Sequence, residues 1–313
     1  MIQNKIDVLR NSPLKRIESF LKSYSMPIAM TTGFLFYPFF SRLAPIIPYL
    51  IFTMLFLTYS KIDFRFIRLK KMHFILILIQ IFGSIGVYLA LKPVNEILAQ
   101  GAMICVLAPT ATSAPVITKM LKGNVESLTA YSFFCNMIIL IGAPIFFSLI
   151  NSGSGMTFAE SFFNILKNVA LLLLVPFLLA LLMRRFTPKT TKKIGSISGM
   201  SFYLWSFALI IVTAKTVKFI TMQSNNSYLV EIMLAVVTLI ICLLQFIAGR
   251  RIGRRYNDTV AGGQGLGQKN TVLAIWMAQT FLNPLSSVGP GAYVIWQNIV
   301  NSYQIWRKRK TLG

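Results

Sequence analysis

Residues 105–124, CVLAPTATSAPVITKMLKGN, form an apolar run that breaks at its own midpoint. Pro109 and Pro115 bracket Thr110, Ala111, Thr112, Ser113 and Ala114, and apolar sequence resumes at Val116. Proline lacks a backbone N–H and its ring clashes with the preceding turn, so a helix entering at Cys105 is expected to open here. Backbone groups freed in a bilayer are tolerated only where they face protein, water or a ligand. A second interruption, GGQGLGQKN at 262–270, precedes the apolar TVLAIWMA. Its glycines, Gly262, Gly263, Gly265 and Gly267, read as an unwound segment in preference to close helix packing. Two broken hydrophobic segments, one in each half of a membrane protein, point to a transporter's binding site.

Composition agrees with a bilayer. The 313 residues are 55% hydrophobic and 12% charged, against about 25% charged in soluble domains. The net charge of +23 does not mean nucleic acid, because the basic residues sit in short clusters between apolar runs. Cys105, Cys135 and Cys242 lie inside apolar runs and read as packing residues; their spacing suggests neither a metal site nor a disulfide framework. His73, beside Lys70 and Lys71, reads as interfacial and not catalytic.

A spanning helix needs about 20 apolar residues. Ten candidates follow: 26–42, 44–60, 73–92, 97–120, 127–151, 161–183, 197–219, 228–249, 259–283 and 287–306, with Pro45 and Pro48 separating the first two. Residues 1–25 are too polar for a signal peptide. With Ser12–Pro13 as a helix start and Leu14, Ile17, Phe20 and Leu21 on one face, they read either as an interfacial helix or as a basic tail.

Charge fixes the topology. Clusters at 5–22, 61–71, 119–122, 184–193, 250–255 and 307–310 hold most of the 31 Lys and Arg. All fall on one side if the spans number ten, which puts both termini in the cytoplasm. The expectation is therefore an all-α polytopic protein of a bacterial-type inner membrane. A basic segment (1–25) and a basic tail (307–313) flank a first five-helix repeat (26–151) and a second, inverted one (152–306). The interrupted helices are spans four and nine, the fourth of each set.

PTATSAPVITKMLKGNVESL (109–128) and GLGQKNTVLA (265–274) are similar to the two crossing motifs of the bile acid:sodium symporter family. The resemblance implies a panel domain of spans 1, 2, 6 and 7 beside a core domain of spans 3–5 and 8–10, with substrate between them near the crossing. It also exposes departures. Where the family places a sodium-binding Ser-Asn pair this chain has Ala114 and Pro115. The glutamate serving both sodium sites aligns with Gly265 and a sodium-binding glutamine with Lys269. Asn270 and Thr271 are retained, Ser132 aligns with a family hydroxyl, and Gln80 corresponds to a third-span glutamine. The chain thus reads as a divergent member lacking several sodium ligands.

The residues themselves agree. The eight acids, Asp7, Glu18, Asp63, Glu96, Glu126, Glu160, Glu231 and Asp258, all fall in loops, termini or span ends, and two sodium sites without a carboxylate are electrostatically unfavourable. Lys269 is the one charge placed deep in the membrane. It is read as a tethered cation held by Thr110, Thr112, Ser113, Asn270 and freed carbonyls, with a fixed structural cation and a snorkelling lysine as the alternatives. The expected site comprises Gln80, Thr110, Thr112, Ser113, Ser132, Gly265, Gln268, Lys269, Asn270 and Thr271, with helix breaks at Pro109, Pro115, Gly262, Gly263 and Gly267. Asn136, Gln279, Asn283 and Asn298 are weaker candidates.

The expected activity is secondary active transport of a small organic anion, with a proton or no ion favoured over sodium and no cofactor. The expected partners are the anion and the lipid bilayer, with no nucleic acid and no obligate protein partner. A membrane enzyme is disfavoured, since one histidine and no deep acid leave no catalytic set. A sodium symporter using neutral ligands, a channel and a non-transporting sensor remain as rivals.

Overall fold

The computed structural model describes residues 25–62, 67–150, 157–196, 200–222 and 228–310, and among them every regular element is a helix. The segment expected to be interfacial lies outside the described residues up to residue 24. Helix α1 (25–35) is followed by the single turn α2 (Tyr37–Phe40), a 3-10 turn (Ser41–Ile46) and α3 (Ile47–Lys61). Pro38, Pro45 and Pro48 account for the staggered start. Then come α4 (Lys71–Leu91), α5 (Glu96–Leu107), α6 (Ala114–Met120), α7 (Val125–Ile150) and α8 (Phe158–Phe186). The second part comprises α9 (Pro188–Ser196), α10 (Met200–Thr221), α11 (Leu229–Arg255), α12 (Thr259–Gly267), α13 (Thr271–Phe281), a 3-10 turn (Pro284–Ser287) and α14 (Val288–Lys310).

Among the described residues six stretches are long and apolar enough to cross a membrane: Tyr37–Lys61, Lys71–Leu91, Val125–Ile150, Phe158–Phe186, Met200–Thr221 and Leu229–Arg255. Two shorter apolar helices, Glu96–Leu107 and Thr271–Phe281, are each half of an interrupted segment. Large side chains such as Phe82, Leu89, Phe163 and Leu244 stand exposed on the outer surface, which suits a hydrocarbon solvent. A nine-residue helix, α9, occupies part of the basic stretch between the expected sixth and seventh spans. Pro188 opens it, the position where a missing N–H costs nothing.

The first interruption falls where the prolines put it. Helix α5 ends at Leu107 and α6 starts at Ala114, with Pro115 in its first turn, so Pro115 begins the second half-helix and Pro109 lies in the opening. The second interruption differs from expectation. Gly262, Gly263, Gly265 and Gly267 are all helical, and the opening is confined to Gln268–Asn270. The glycines serve packing: a Cβ on Gly262 would strike the backbone of Gly249 and Gly253, and one on Gly267 the ring of Phe246. Helices α11 and α12 therefore approach backbone to backbone, as small residues permit in membranes.

The described acids all sit at helix starts: Glu96, Glu126, Glu160 and Glu231 in first turns, and Asp258 at the N-cap of α12. Negative charge is favoured there by the helix dipole. Asp258 pairs with Lys70 at 3.3 Å. His73, in the first turn of α4, is fully buried within the protein, its Nδ1 accepting from Lys70 N at 3.3 Å and its Nε2 3.0 Å from Ser127 Oγ.

Candidate functional site

An α-helix leaves its last four carbonyls without intrahelical partners. At the end of α5, Ile104 O still accepts from Ala108 N at 2.9 Å. The next four carbonyls are all met by side chains from elsewhere in the chain. Gln245 Nε2 donates to Cys105 O (3.3 Å), Lys269 Nζ to Val106 O (2.8 Å), and Gln80 Nε2 to Leu107 O (2.7 Å) and Ala108 O (3.0 Å). A buried unpaired carbonyl costs about 1–3 kcal/mol, so these three side chains permit α5 to stop inside the protein.

The two openings then cross. Thr110 and Lys269 form an isolated antiparallel bridge, with Asn270 N donating to Pro109 O (2.8 Å) and Ala111 N to Gln268 O (2.9 Å). Thr110 Oγ1 reaches over to Gly265 O at 2.9 Å, and Tyr293 OH donates to Gly267 O at 2.9 Å. Gln297 of α14 grips the peptide of Lys269 from both sides: Lys269 N donates to its Oε1 (2.8 Å) and its Nε2 donates to Lys269 O (3.3 Å). Asn270 caps α13 by accepting from Leu273 N, which starts the second half-helix sharply.

Most of the residues expected at the site do meet here. Gln80, Thr110, Gly265, Gln268, Lys269, Asn270 and Thr271 are at or beside the crossing. Gln268 Nε2 lies 3.4 Å from the exposed Ser113 Oγ, and Gln268 Oε1 accepts from Asn301 Nδ2. Lys269 is 1% exposed, which rules out snorkelling. Its ammonium is held by a freed carbonyl, as expected, and not by the Thr110, Thr112, Ser113 and Asn270 side chains expected beside it. Those groups are used elsewhere or stand apart, and Val106 O is the acceptor among the described residues. Ser132 is half-buried, and its carbonyl accepts from Asn136 Nδ2 at 2.7 Å; no hydrogen bond joins its hydroxyl to the crossing among the described residues.

The weaker candidates divide. Asn298 turns back on its own helix at Val294 O (2.6 Å), while its unremarked neighbour Gln297 holds the crossing. Asn283 caps the turn before α14, and Gln279 donates to Thr216 Oγ1 at 3.0 Å. Sequence reading also missed Gln245, Tyr131 and Tyr293. Tyr131 OH and Cys135 Sγ donate to Gln80 Oε1 at 3.0 and 3.4 Å, giving Cys135 a polar contact beyond packing. One signal was available: Tyr293, Gln297 and Asn301 recur every four residues, a polar stripe along one face of α14.

The dominant charge at this place is the Lys269 ammonium at the C-terminal end of α5. Aligned peptide dipoles make that end a negative pole, where a cation is favoured. Among the described residues Lys269 makes no ion pair with an acid.

An all-helical apolar chain whose two interrupted helices cross at buried, polar openings is a multi-pass membrane protein built as transporters are. The chain belongs to the SBF-like CPA transporter family (DUF4137), which matches residues 48–297. That family is bile acid:sodium symporter-like, in agreement with the resemblance of the two crossing motifs, and it is a family of membrane transporters. No curated protein matches the chain.

Proposed function

We propose that this protein is a secondary active carrier of a small organic anion, working by alternating access, in which Lys269 stands where its relatives hold a sodium ion. The observation that carries this reading is the 2.8 Å contact of Lys269 Nζ with Val106 O, an ammonium at the carbonyl end of a half-helix. In this chain Gly265 and Pro115 occupy positions that carry sodium ligands in the resembling family, so the donor set does not fit two sodium ions. An ammonium offers three donors, and the two not directed at Val106 suit a carboxylate or sulfonate. The α13 N-terminus adds a positive dipole end. Thr271 Oγ1 is buried there without a hydrogen-bond partner among the described residues, a hydroxyl free for the substrate.

The architecture proposed with this function has ten spans. The first five are α1 with α2, α3, α4, the broken α5–α6 and α7. The second five are α8, α10, α11, the broken α12–α13 and α14. The halves insert in opposite senses, both termini are cytoplasmic, and the membrane is the bacterial inner membrane. Supporting the repeat, Thr110 and Lys269 are bridge partners, and each sends its side chain to the carbonyl four residues before its partner, Gly265 and Val106. Helices α1, α3, α8 and α10 would form the panel and the others the core.

The test is thermal stabilisation of the purified protein by a panel of organic anions, in sodium and in choline, at two pH values. Specific ligands stabilise the native state. A carboxylate that stabilises equally in both salts, with a pH-dependent size, supports the lysine-based carrier. A shift that requires sodium overturns it in favour of a symporter with neutral ligands.

A further inference from the structure

Two Gln–Tyr pairs flank the crossing, one from each half of the chain. Gln80 on α4 and Tyr131 on α7 belong to the first; Gln245 on α11 and Tyr293 on α14 hold corresponding places in the second. All four side chains are buried. Their hydrogen bonds are not equivalent. In the first pair the glutamine donates to two carbonyls of its own half, Leu107 O and Ala108 O, and its Oε1 accepts from Tyr131 OH. In the second pair the tyrosine itself takes the carbonyl of its own half, Gly267 O at 2.9 Å. Gln245 Nε2 is left to bond Tyr293 OH (3.0 Å) and the first half's Cys105 O (3.3 Å). Gln245 Oε1 is buried and without a hydrogen-bond partner among the described residues.

A buried acceptor left unsatisfied in a polar network calls for an explanation, and the other pair supplies one. If Tyr293 turned from Gly267 O to Gln245 Oε1, and the Gln245 amide took the carbonyls of its own half, the second pair would reproduce the first. We propose that Gln245 and Tyr293 are positioning residues for the crossing, and that the two pairs exchange hydrogen-bond states when the carrier changes the side it faces. The inference rests on the inverted-repeat reading above. It goes beyond it in naming a bistable element, since two halves of opposite orientation interchange their conformations when the structure turns inside out. Neither side chain touches the substrate in this scheme; each sets which carbonyls are shielded on its side of the opening.

Bond counts give the signs. In the state described, Gln245 makes two hydrogen bonds and Tyr131 one; in the exchanged state each gains one. Gln80 and Tyr293 lose one on exchange. Removing Gln245 or Tyr131 therefore favours the present state, and removing Gln80 or Tyr293 favours the other.

The experiment uses the full chain in membrane vesicles of both orientations, with Ser113→Cys as reporter. Ser113 is exposed, whereas Cys105, Cys135 and Cys242 are buried, so the parent protein is the labelling blank. A membrane-impermeant maleimide reads the ratio of labelling from the two faces. Tyr131→Phe and Tyr293→Phe should shift that ratio in opposite directions by about fivefold, the population change of one net hydrogen bond. Gln245→Leu should follow the first and Gln80→Leu the second. Melting temperatures of the two phenylalanine variants check that both fold. Shifts of the same sign, or an unchanged ratio in both phenylalanine variants, overturn the proposal. The assay needs no substrate, so it answers independently of whether the chain moves an organic anion.

Discussion

Lys269 Nζ and Val106 O, 163 residues apart in sequence, meet at 2.8 Å beside the point where the two interrupted helices cross. Among the described residues, the contact joins the one charged side chain of the crossing to one of four carbonyls that α5 cannot satisfy itself. Gln80 and Gln245 serve the other three. The opening in α5 is thus a socket for donors, and it is filled by two neutral amides and one cation. On the function proposed above, a tethered cation in place of a mobile one keeps the electrostatic complement of the dipole and removes sodium as the coupling ion.

Replacing the tethered cation should reopen the socket. Lys269→Gln is expected to destabilise the protein by about 1–3 kcal/mol, because Val106 O loses a charge-assisted bond. The neutral variant should then take a cation from solution. Its melting temperature is expected to rise with sodium chloride and not with choline chloride, while the parent responds equally to both. Identical melting temperatures of the variant in the two salts would show that this pole attracts no ion.

Adjacent residues on α14 offer a sharper contrast. Gln297 makes two hydrogen bonds to the peptide of Lys269, whereas Asn298 bonds only its own helix. Gln297→Leu leaves the buried Lys269 N–H without its partner and Lys269 O with Thr271 N alone (3.0 Å), and should cost about 1–3 kcal/mol, and Asn298→Leu less than about 1 kcal/mol. Thermal unfolding of both variants in detergent measures the difference; equal losses would mean the Gln297 clamp contributes nothing beyond packing.

The first break was legible because Pro109 and Pro115 act through local sterics, which depend on neighbours in sequence. Misplacing the second has a physical cause as well. Glycine serves both an unwound backbone and close helix contact, and only the positions of Gly249, Gly253 and Phe246 on α11 decide between them. Lys269 was legible as a buried cation, since a lone charge in an apolar run has few uses. That a freed carbonyl would help hold it was also legible; which carbonyl was not, because any residue type could have supplied it. The same reasoning hid Gln245: amides in membrane helices are commonly helix–helix ties, and nothing local marks it as facing a break, whereas Gln297 lies on the Tyr293–Gln297–Asn301 stripe.

Glycine contacts give a test that is independent of transport. Gly262→Val should force α11 and α12 apart and cost about 1–3 kcal/mol by overpacking. Gly86→Ala on α4, where an added Cβ meets nothing within 4 Å, should be neutral or stabilise by about 0.5–1 kcal/mol through helix propensity. Chemical or thermal denaturation compares them. A Gly262→Val protein as stable as the parent would restore the unwound segment expected from the sequence.

The Lys70–Asp258 pair divides its charges unequally between protein and solvent. The lysine side chain is 42% exposed and the aspartate 3%. Removing the exposed partner strands a buried carboxylate, while neutralising the aspartate leaves a lysine free to hydrate. Lys70→Gln should therefore destabilise more than Asp258→Asn, although the α12 dipole steadies Asp258 and solvent screening holds the pair itself to about 0–1 kcal/mol. Part of the Lys70→Gln loss should disappear on raising the salt concentration, which screens exposed charge. Melting temperatures at low and high salt decide it. A larger loss in Asp258→Asn would mean that the carboxylate's cap and packing roles at the start of α12 outweigh its charge pairing.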